Sequence, residues 1–330
     1  FQMDILGFKV NMMDTQKSIY TSTFGNINTY TIYVAALLAI SMILFTQEKN
    51  QKRMFWYYGN MILTSFALIM GSSDNAYLSL AAIFGLAPLW LFQTKTGLRR
   101  YVISLSTFFT VILCINGINK AYAASVLGID SAFNLIAGTK FLPVLVVLLW
   151  VIAVVLIFMN RKPQALMNRT TDDSMNKIAV YIWIGVIAVV CLAVLFVLYD
   201  ANLGGHADKY GALSSYVVFN DEWGTQRGYV WKRAMEIYTK KLNLLQKIFG
   251  YGPDTFALIM QYYYPGEMQN GRMVIFDSAH NEYLHYLVTT GFVGMASYLV
   301  FMVSSIVAMA KKIKELSLIH ISEPTRRSYI

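Results

Sequence analysis

This 330-residue sequence predicts an all-α, polytopic membrane protein. Hydrophobic residues make up 56% of it and charged residues only 14%. Seven uncharged runs approach the roughly 20 residues a helix needs to cross about 30 Å of hydrocarbon. Basic residues crowd alternate connections between those runs, as the charge rule for short membrane loops demands.

The expected spans are 30–46, 55–71, 76–92, 101–118, 141–159, 178–198 and 284–310, none of which contains Asp, Glu, Lys or Arg. Loops on one side carry Lys49, Lys52, Arg53, Lys95, Arg99, Arg100, Arg161, Lys162, Arg169, Lys177, Lys311, Lys312 and Lys314, whereas the short loops opposite carry only Lys120 and Lys140. The first set therefore marks the cytoplasm. The segment before residue 30 and the long loop 199–283 then face outward, and a loop beyond roughly 60 residues is exempt from the charge rule. Residues 1–310 read as one integral domain with a large extracytoplasmic loop, and 311–315 as a cytoplasmic tail.

The chain opens on Phe1 with its first residues outside, so a preceding span is expected and the sequence reads as a fragment. Residues 316–330, which include Leu318-Ile319-His320-Ile321-Ser322-Glu323-Pro324-Thr325-Arg326, read like a translated sequencing adapter and carry no functional argument. The net charge of +9 is mainly topological, because the cations sit in the inward loops, and nucleic acid is not implied as a partner. Cys114 and Cys191 fall inside spans, where a thiol behaves as a small hydrophobe and suggests no disulfide framework.

Within the long loop, 226–249 can be written as one amphipathic helix near the membrane surface, with Trp231, Ala234, Met235, Tyr238, Leu242, Leu245 and Phe249 on its apolar side. Gly250-Tyr251-Gly252-Pro253-Asp254 predicts a tight turn. A second helix over 255–264 is stopped by Pro265-Gly266. The loop then enters the last span through Ala279-His280-Asn281-Glu282-Tyr283-Leu284, which sets an imidazole, an amide and a carboxylate at the mouth of a membrane helix.

That last string, with Gly291 and Gly294 beyond it, is preceded by Arg227-Gly228-Tyr229-Val230-Trp231 and Gly250-Tyr251-Gly252-Pro253-Asp254-Thr255-Phe256. Phe24-Gly25-Asn26-Ile27-Asn28 stands before the first span. These pieces, in this order on this topology, resemble the O-antigen ligase and polymerase superfamily over about residues 20–310. The resemblance implies a glycosyltransferase C-like helix bundle in a bacterial cytoplasmic membrane, inner or plasma. It implies transfer of a glycan from a polyprenyl diphosphate carrier to a hydroxyl of a glycan, lipid or protein acceptor on the outer face. No cofactor, metal or nucleotide sugar is expected.

Such chemistry has definite needs. A diphosphate leaving group suits a guanidinium fork better than an ammonium, and Arg227 matches the family's loop arginine, with Arg272 and Arg233 in reserve. An acceptor hydroxyl must lose a proton, and imidazole suits a base near neutrality; His280 matches the family's loop histidine. Asn281, Glu282, Tyr251 and Gly252 are expected beside the substrate. On residue chemistry alone, His280 could equally cap a helix or satisfy a loop carbonyl, and Arg227 could be a solvated helix cation. His285 stands five residues from His280, roughly 140° around a helix, so the two form no metal pair. Asn26 and Asn28 read as helix-entry residues.

One departure stands out. Where family members often carry a serine–arginine pair at the outer end of an early span, this chain reads Ser72-Ser73-Asp74-Asn75. Ligase and polymerase share a donor class and differ in acceptor, so the sequence leaves both open. A lipid-linked glycan transporter is a weaker reading, because no span carries a charge of the kind coupled transporters use. A non-catalytic membrane scaffold would need neither His280 nor Arg227.

Overall fold

The computed structural model describes residues 24–71, 73–123, 131–159, 169–265 and 276–322. Among these the secondary structure is entirely helical: α1 Ile27–Gln47, α2 Gln51–Met70, α3 Asn75–Leu91, α4 Lys95–Ala121, α5 Ser131–Gly138, α6 Leu142–Met159, α7 Arg169–Asn202, α8 Ser214–Val217, α9 Trp223–Glu236, α10 Leu244–Phe249, α11 Phe256–Tyr263, α12 Glu282–Thr289 and α13 Gly291–Ser322. A 3₁₀ segment, Ala207–Leu213, precedes α8, and a π segment, Ile237–Lys241, follows α9. Among the described residues four stretches are long and apolar enough to cross a membrane: Ile27–Gln47, Lys95–Ala121, Lys177–Asn202 and Gly291–Lys312. Asn75–Leu91 and Leu142–Phe158 are shorter apolar helices. The expected span 55–71 falls on α2, which ends at Met70 with Gly71 as its cap and whose first turn carries Lys52 and Arg53.

The described chain divides into two compact units, meeting in sequence between Leu192 and Ala193 inside α7. In the first, a core including Leu38, Met42, Met61, Leu68, Ile69 and Ile112 joins α1, α2 and α4. Several polar groups inside it are paired, since hydrocarbon offers no alternative partner, although the buried Thr31 hydroxyl has none. Asn60 Nδ2 donates to Ser41 Oγ at 2.6 Å, and Trp150 Nε1 donates to Thr110 Oγ1 at 3.0 Å.

Pro88 sits inside α3 and supplies no N–H to the carbonyl of Phe84, four residues earlier. The Tyr101 hydroxyl donates to that carbonyl at 2.7 Å. At the end of α1 the helix leaves carbonyls without intrahelical partners, and Arg100 Nη1 donates to those of Phe45 and Glu48 at 2.8 and 2.6 Å. At the other end, Asn26 caps α1 by accepting the Asn28 and Thr29 N–H groups. Asn28 is more than a helix-entry residue: its Oδ1 accepts from Ser73 Oγ at 3.2 Å and Asn75 Nδ2 at 2.9 Å. This amide cluster occupies the place where the family's serine–arginine pair is expected.

In the second unit, Tyr229, Val230, Ala234, Ile237, Leu242, Phe256, Ile259, Met260, Phe276, Ala279 and Val288 form one core. Two sequence expectations change here. The single helix 226–249 is instead three pieces: α9 ends at Glu236, the π segment follows, and α10 restarts at Leu244. The restart is local chemistry, since Asn243 accepts the Gln246 N–H while the Gln246 side chain accepts the Asn243 N–H, a reciprocal cap. The buried face shifts accordingly, and Met235, Leu245 and Phe249 are exposed. The last span, expected to be continuous over 284–310, is broken at Thr290 into α12 and α13.

That break has a steric cause. Gly250 and Gly291 both adopt left-handed backbone, at φ 70°. A Cβ on Gly250 would meet the Thr289 carbonyl and lie 2.7 Å from the Gly291 nitrogen, and one on Gly291 would collide with the Ile248 carbonyl. Two chain segments thus cross backbone on backbone, which only glycine permits. The Tyr251 and Gly252 N–H groups then both donate to Thr289 O at 2.8 Å. The glycine–tyrosine–glycine turn is thereby fastened to the end of α12.

Candidate active site

Arg227 owes its place to an unusual approach. Gly224, Thr225 and Gln226 take left-handed backbone in succession, at φ 60°, 63° and 70°. Such conformations cost of order 1–3 kcal/mol for a non-glycine residue and persist where surrounding structure enforces them. Gly228 is part of the enforcement, because a Cβ there would strike the Asn220 carbonyl, and the Tyr229 N–H donates to Asp221 O at 3.1 Å. The half-buried Arg227 stem lies over Gly224, with Cδ 3.3 Å from where a Cβ would be. Gln226 beside it keeps a buried Oε1 without a hydrogen-bond partner.

His280 also takes left-handed backbone, at φ 48°. It is exposed, its N–H donates to Ser278 Oγ at 3.1 Å, and it immediately precedes the cap of α12. That cap is Asn281, whose side chain accepts the Leu284 N–H at 3.2 Å. Capping of α12 therefore falls to Asn281, so the helix-cap reading of His280 does not hold. Glu282 is exposed in the first turn of α12, where a negative charge complements the helix dipole.

One hydrogen bond joins the two candidates. Trp231 lies one turn after Arg227 on the same helix face, and its indole N–H donates at 2.8 Å to the carbonyl of Ala279, the residue before His280. The arginine's helix and the histidine's loop are thus fixed to each other. His285 belongs to the packing, its ring stacked on Phe256 with centroids 5.5 Å apart.

Arg233 and Tyr251 are engaged with partners of their own. Arg233 donates to Glu236 Oε2 at 2.9 Å and spreads over the Tyr264 and Tyr229 rings, 4.6 and 5.4 Å from their centroids. The Tyr264 hydroxyl and the Arg233 guanidinium hold the Glu236 carboxyl below its ordinary range. Tyr251 accepts from Gln246 Nε2 at 2.9 Å and shares a 2.8 Å hydrogen bond with Tyr263, which pushes the Tyr263 phenol up to about 12. Arg272 lies outside the described residues. Among the described residues no three His, Cys, Asp or Glu side chains are grouped for a metal.

Sequence reasoning missed what holds the loop before α9. Asn202, at the end of α7, donates through Nδ2 to Leu198 O at 2.9 Å and Val217 O at 2.7 Å, and its Oδ1 accepts the Phe219 N–H at 2.7 Å. Only an amide carries both donor and acceptor for this. Two cavities follow that loop, about 630 Å³ and about 700 Å³, and both are bordered by Asn220 and Trp223.

A family model described as O-antigen ligase matches residues 123–299, more than half of the chain. The chain belongs to the O-antigen ligase family. The match contains Arg227, the glycine–tyrosine–glycine turn, His280, Gly291 and Gly294, while Phe24-Gly25-Asn26 falls outside it. No curated protein and no solved structure matches the chain. Membership and the membrane-length helices make this a membrane protein of a glycan-transferring family.

Proposed function

We propose that the protein transfers a glycan from a polyprenyl diphosphate carrier to an acceptor hydroxyl on the extracytoplasmic face, as an O-antigen ligase. His280 takes the proton of the acceptor hydroxyl, and the freed oxygen attacks the anomeric carbon of the donor sugar. The bond from that carbon to the diphosphate breaks, its electron pair leaves with the lipid diphosphate, and Arg227 stabilises the departing charge. Arg233 and Arg272 stand in reserve for the diphosphate.

The observation that supports this reading most is the Trp231–Ala279 hydrogen bond, which fastens the helix that carries Arg227 to the loop that carries His280 inside the family-matched segment. Left-handed backbone at His280, and at Thr225 and Gln226 just before Arg227, supports the same reading, because strain of this kind clusters at working sites. The test is a purified-protein assay with a polyprenyl-diphosphate glycan and an acceptor oligosaccharide. His280→Ala is expected to lose about 10²–10⁴ in rate, chiefly in kcat. Arg227→Ala loses rate and also raises the donor KM, because its charge-assisted contact exists in the ground state. Arg227→Lys restores only part, a point charge replacing a fork. Chelator is expected to leave the rate unchanged. Near-normal activity of His280→Ala removes it from the mechanism.

A further inference from the structure

We propose that the groove walled by Phe219, Trp223 and Trp231 is a subsite for the saccharide of the acceptor. The inference rests on the transfer reading above and names where the accepting sugar chain lies. The cavity of about 700 Å³ is bordered by these three rings together with Asn220, Asp221, Gly228 and Lys232, a size ordinary for a small-molecule site. The rings are clustered edge to face: centroids of Phe219 and Trp223 are 5.0 Å apart, those of Trp223 and Trp231 5.2 Å.

Aromatic faces interleaved with an amide, a carboxylate and an ammonium match what a pyranose presents, apolar C–H faces edged by hydroxyls. An acyl chain would want the wall unbroken by Asn220, Asp221 and Lys232. An anionic ligand would want net positive charge, whereas here one cation balances one anion. Asp221 and Lys232 form only a long, exposed ion pair at 3.5 Å, so hydroxyls can compete for both groups at small cost.

Placement favours the acceptor over the donor. Trp231, which walls the groove, is the residue whose indole holds the carbonyl next to His280, so a sugar stacked there lies beside the proposed base. The cavity of about 630 Å³, bordered by Asp208, Ser214, Ser215 and Glu222, shares Asn220 and Trp223 with the first. A chain longer than one sugar can therefore continue past Trp223 into a polar lobe of hydroxyls and carboxylates.

Two variants test this, Phe219→Ala at an exposed ring and Trp223→Phe, each in full-length protein in lipid nanodiscs with a defined acceptor oligosaccharide and a polyprenyl-diphosphate donor. Phe219→Ala is expected to raise the acceptor KM about three- to tenfold with donor KM and kcat little changed, and Trp223→Phe, which keeps a ring, to raise it less. Acceptor oligosaccharide alone, without donor, should change the tryptophan fluorescence of His280→Ala protein, and Phe219→Ala introduced into it should weaken that response. Unchanged acceptor KM in Phe219→Ala, a rise in donor KM alone, or a loss confined to kcat overturns the subsite. So does strong quenching of Trp223 by brominated lipid with no response to saccharide, which would make the rings a membrane-interface belt. The His280→Ala rate reports on the transfer reading separately, so either idea can fail without the other.

Discussion

At the scale of single residues, the same position often meets a steric and a chemical demand at once. Gly250 and Gly291 occur in the family-like strings, and the structure supplies a reason that needs no substrate: their backbones cross where any Cβ would collide. Gly250→Ala therefore adds an alanine at φ 70° and ψ −159°, a region essentially confined to glycine and costing about 1–3 kcal/mol, to a clash with the Thr289 carbonyl. The expected result is a lower melting temperature and poor recovery of folded protein in detergent. A melting curve equal to the parent's would show that the crossing relaxes freely. His280 differs, since its φ of 48° accompanies an exposed side chain. His280→Gly is expected to fold as well as the parent, while activity falls as in His280→Ala.

At the scale of elements, legibility followed period and failed where side chains override it. The apolar helices were readable because their uncharged runs are long, and the 255–264 helix was readable from its Pro-Gly stop, ending at Tyr263 in fact. The 226–249 segment was not, because its spacing fits a helix throughout while the Asn243–Gln246 cap restarts the chain. Membership in the family was legible from the Arg227, Gly250 and His280 strings in order. The Trp231 bond to Ala279 spans 48 residues, and no local pattern announces a partner at that distance. Asn202 was equally silent, one amide at a span's end that proves to hold two carbonyls and an N–H. Asn202→Ala is expected to free the 203–219 stretch, so that limited proteolysis cuts there faster than in the parent while α9 stays protected. Equal cleavage rates in both proteins would assign that anchoring elsewhere.

At the scale of the whole molecule, the decisive quantity is which side of the membrane holds 199–283. Arg100, counted among the inward cations, is committed to the end of α1 through Phe45 O and Glu48 O. Removing it from the count still leaves twelve cations against Lys120 and Lys140, so the orientation does not hinge on one structural arginine. Lys177–Asn202 and Gly291–Lys312 flank the loop and bury none of their apolar windows, as helices bathed in lipid do. The loop is thus bracketed by two helices long and apolar enough to cross a membrane, and labelling reads out its side. A single cysteine at Ser214, in a protein with Cys114 and Cys191 replaced by serine, is expected to react with an impermeant maleimide in intact cells with the outer envelope permeabilised. A cysteine at Gln51, between Lys49 and Arg53, should stay unlabelled until the inner membrane is broken. Both sites must give these results together, since labelling of both would signal leakage. Reversed labelling would put Arg227 and His280 on the cytoplasmic side, where a glycan carried outward on its lipid could not reach them.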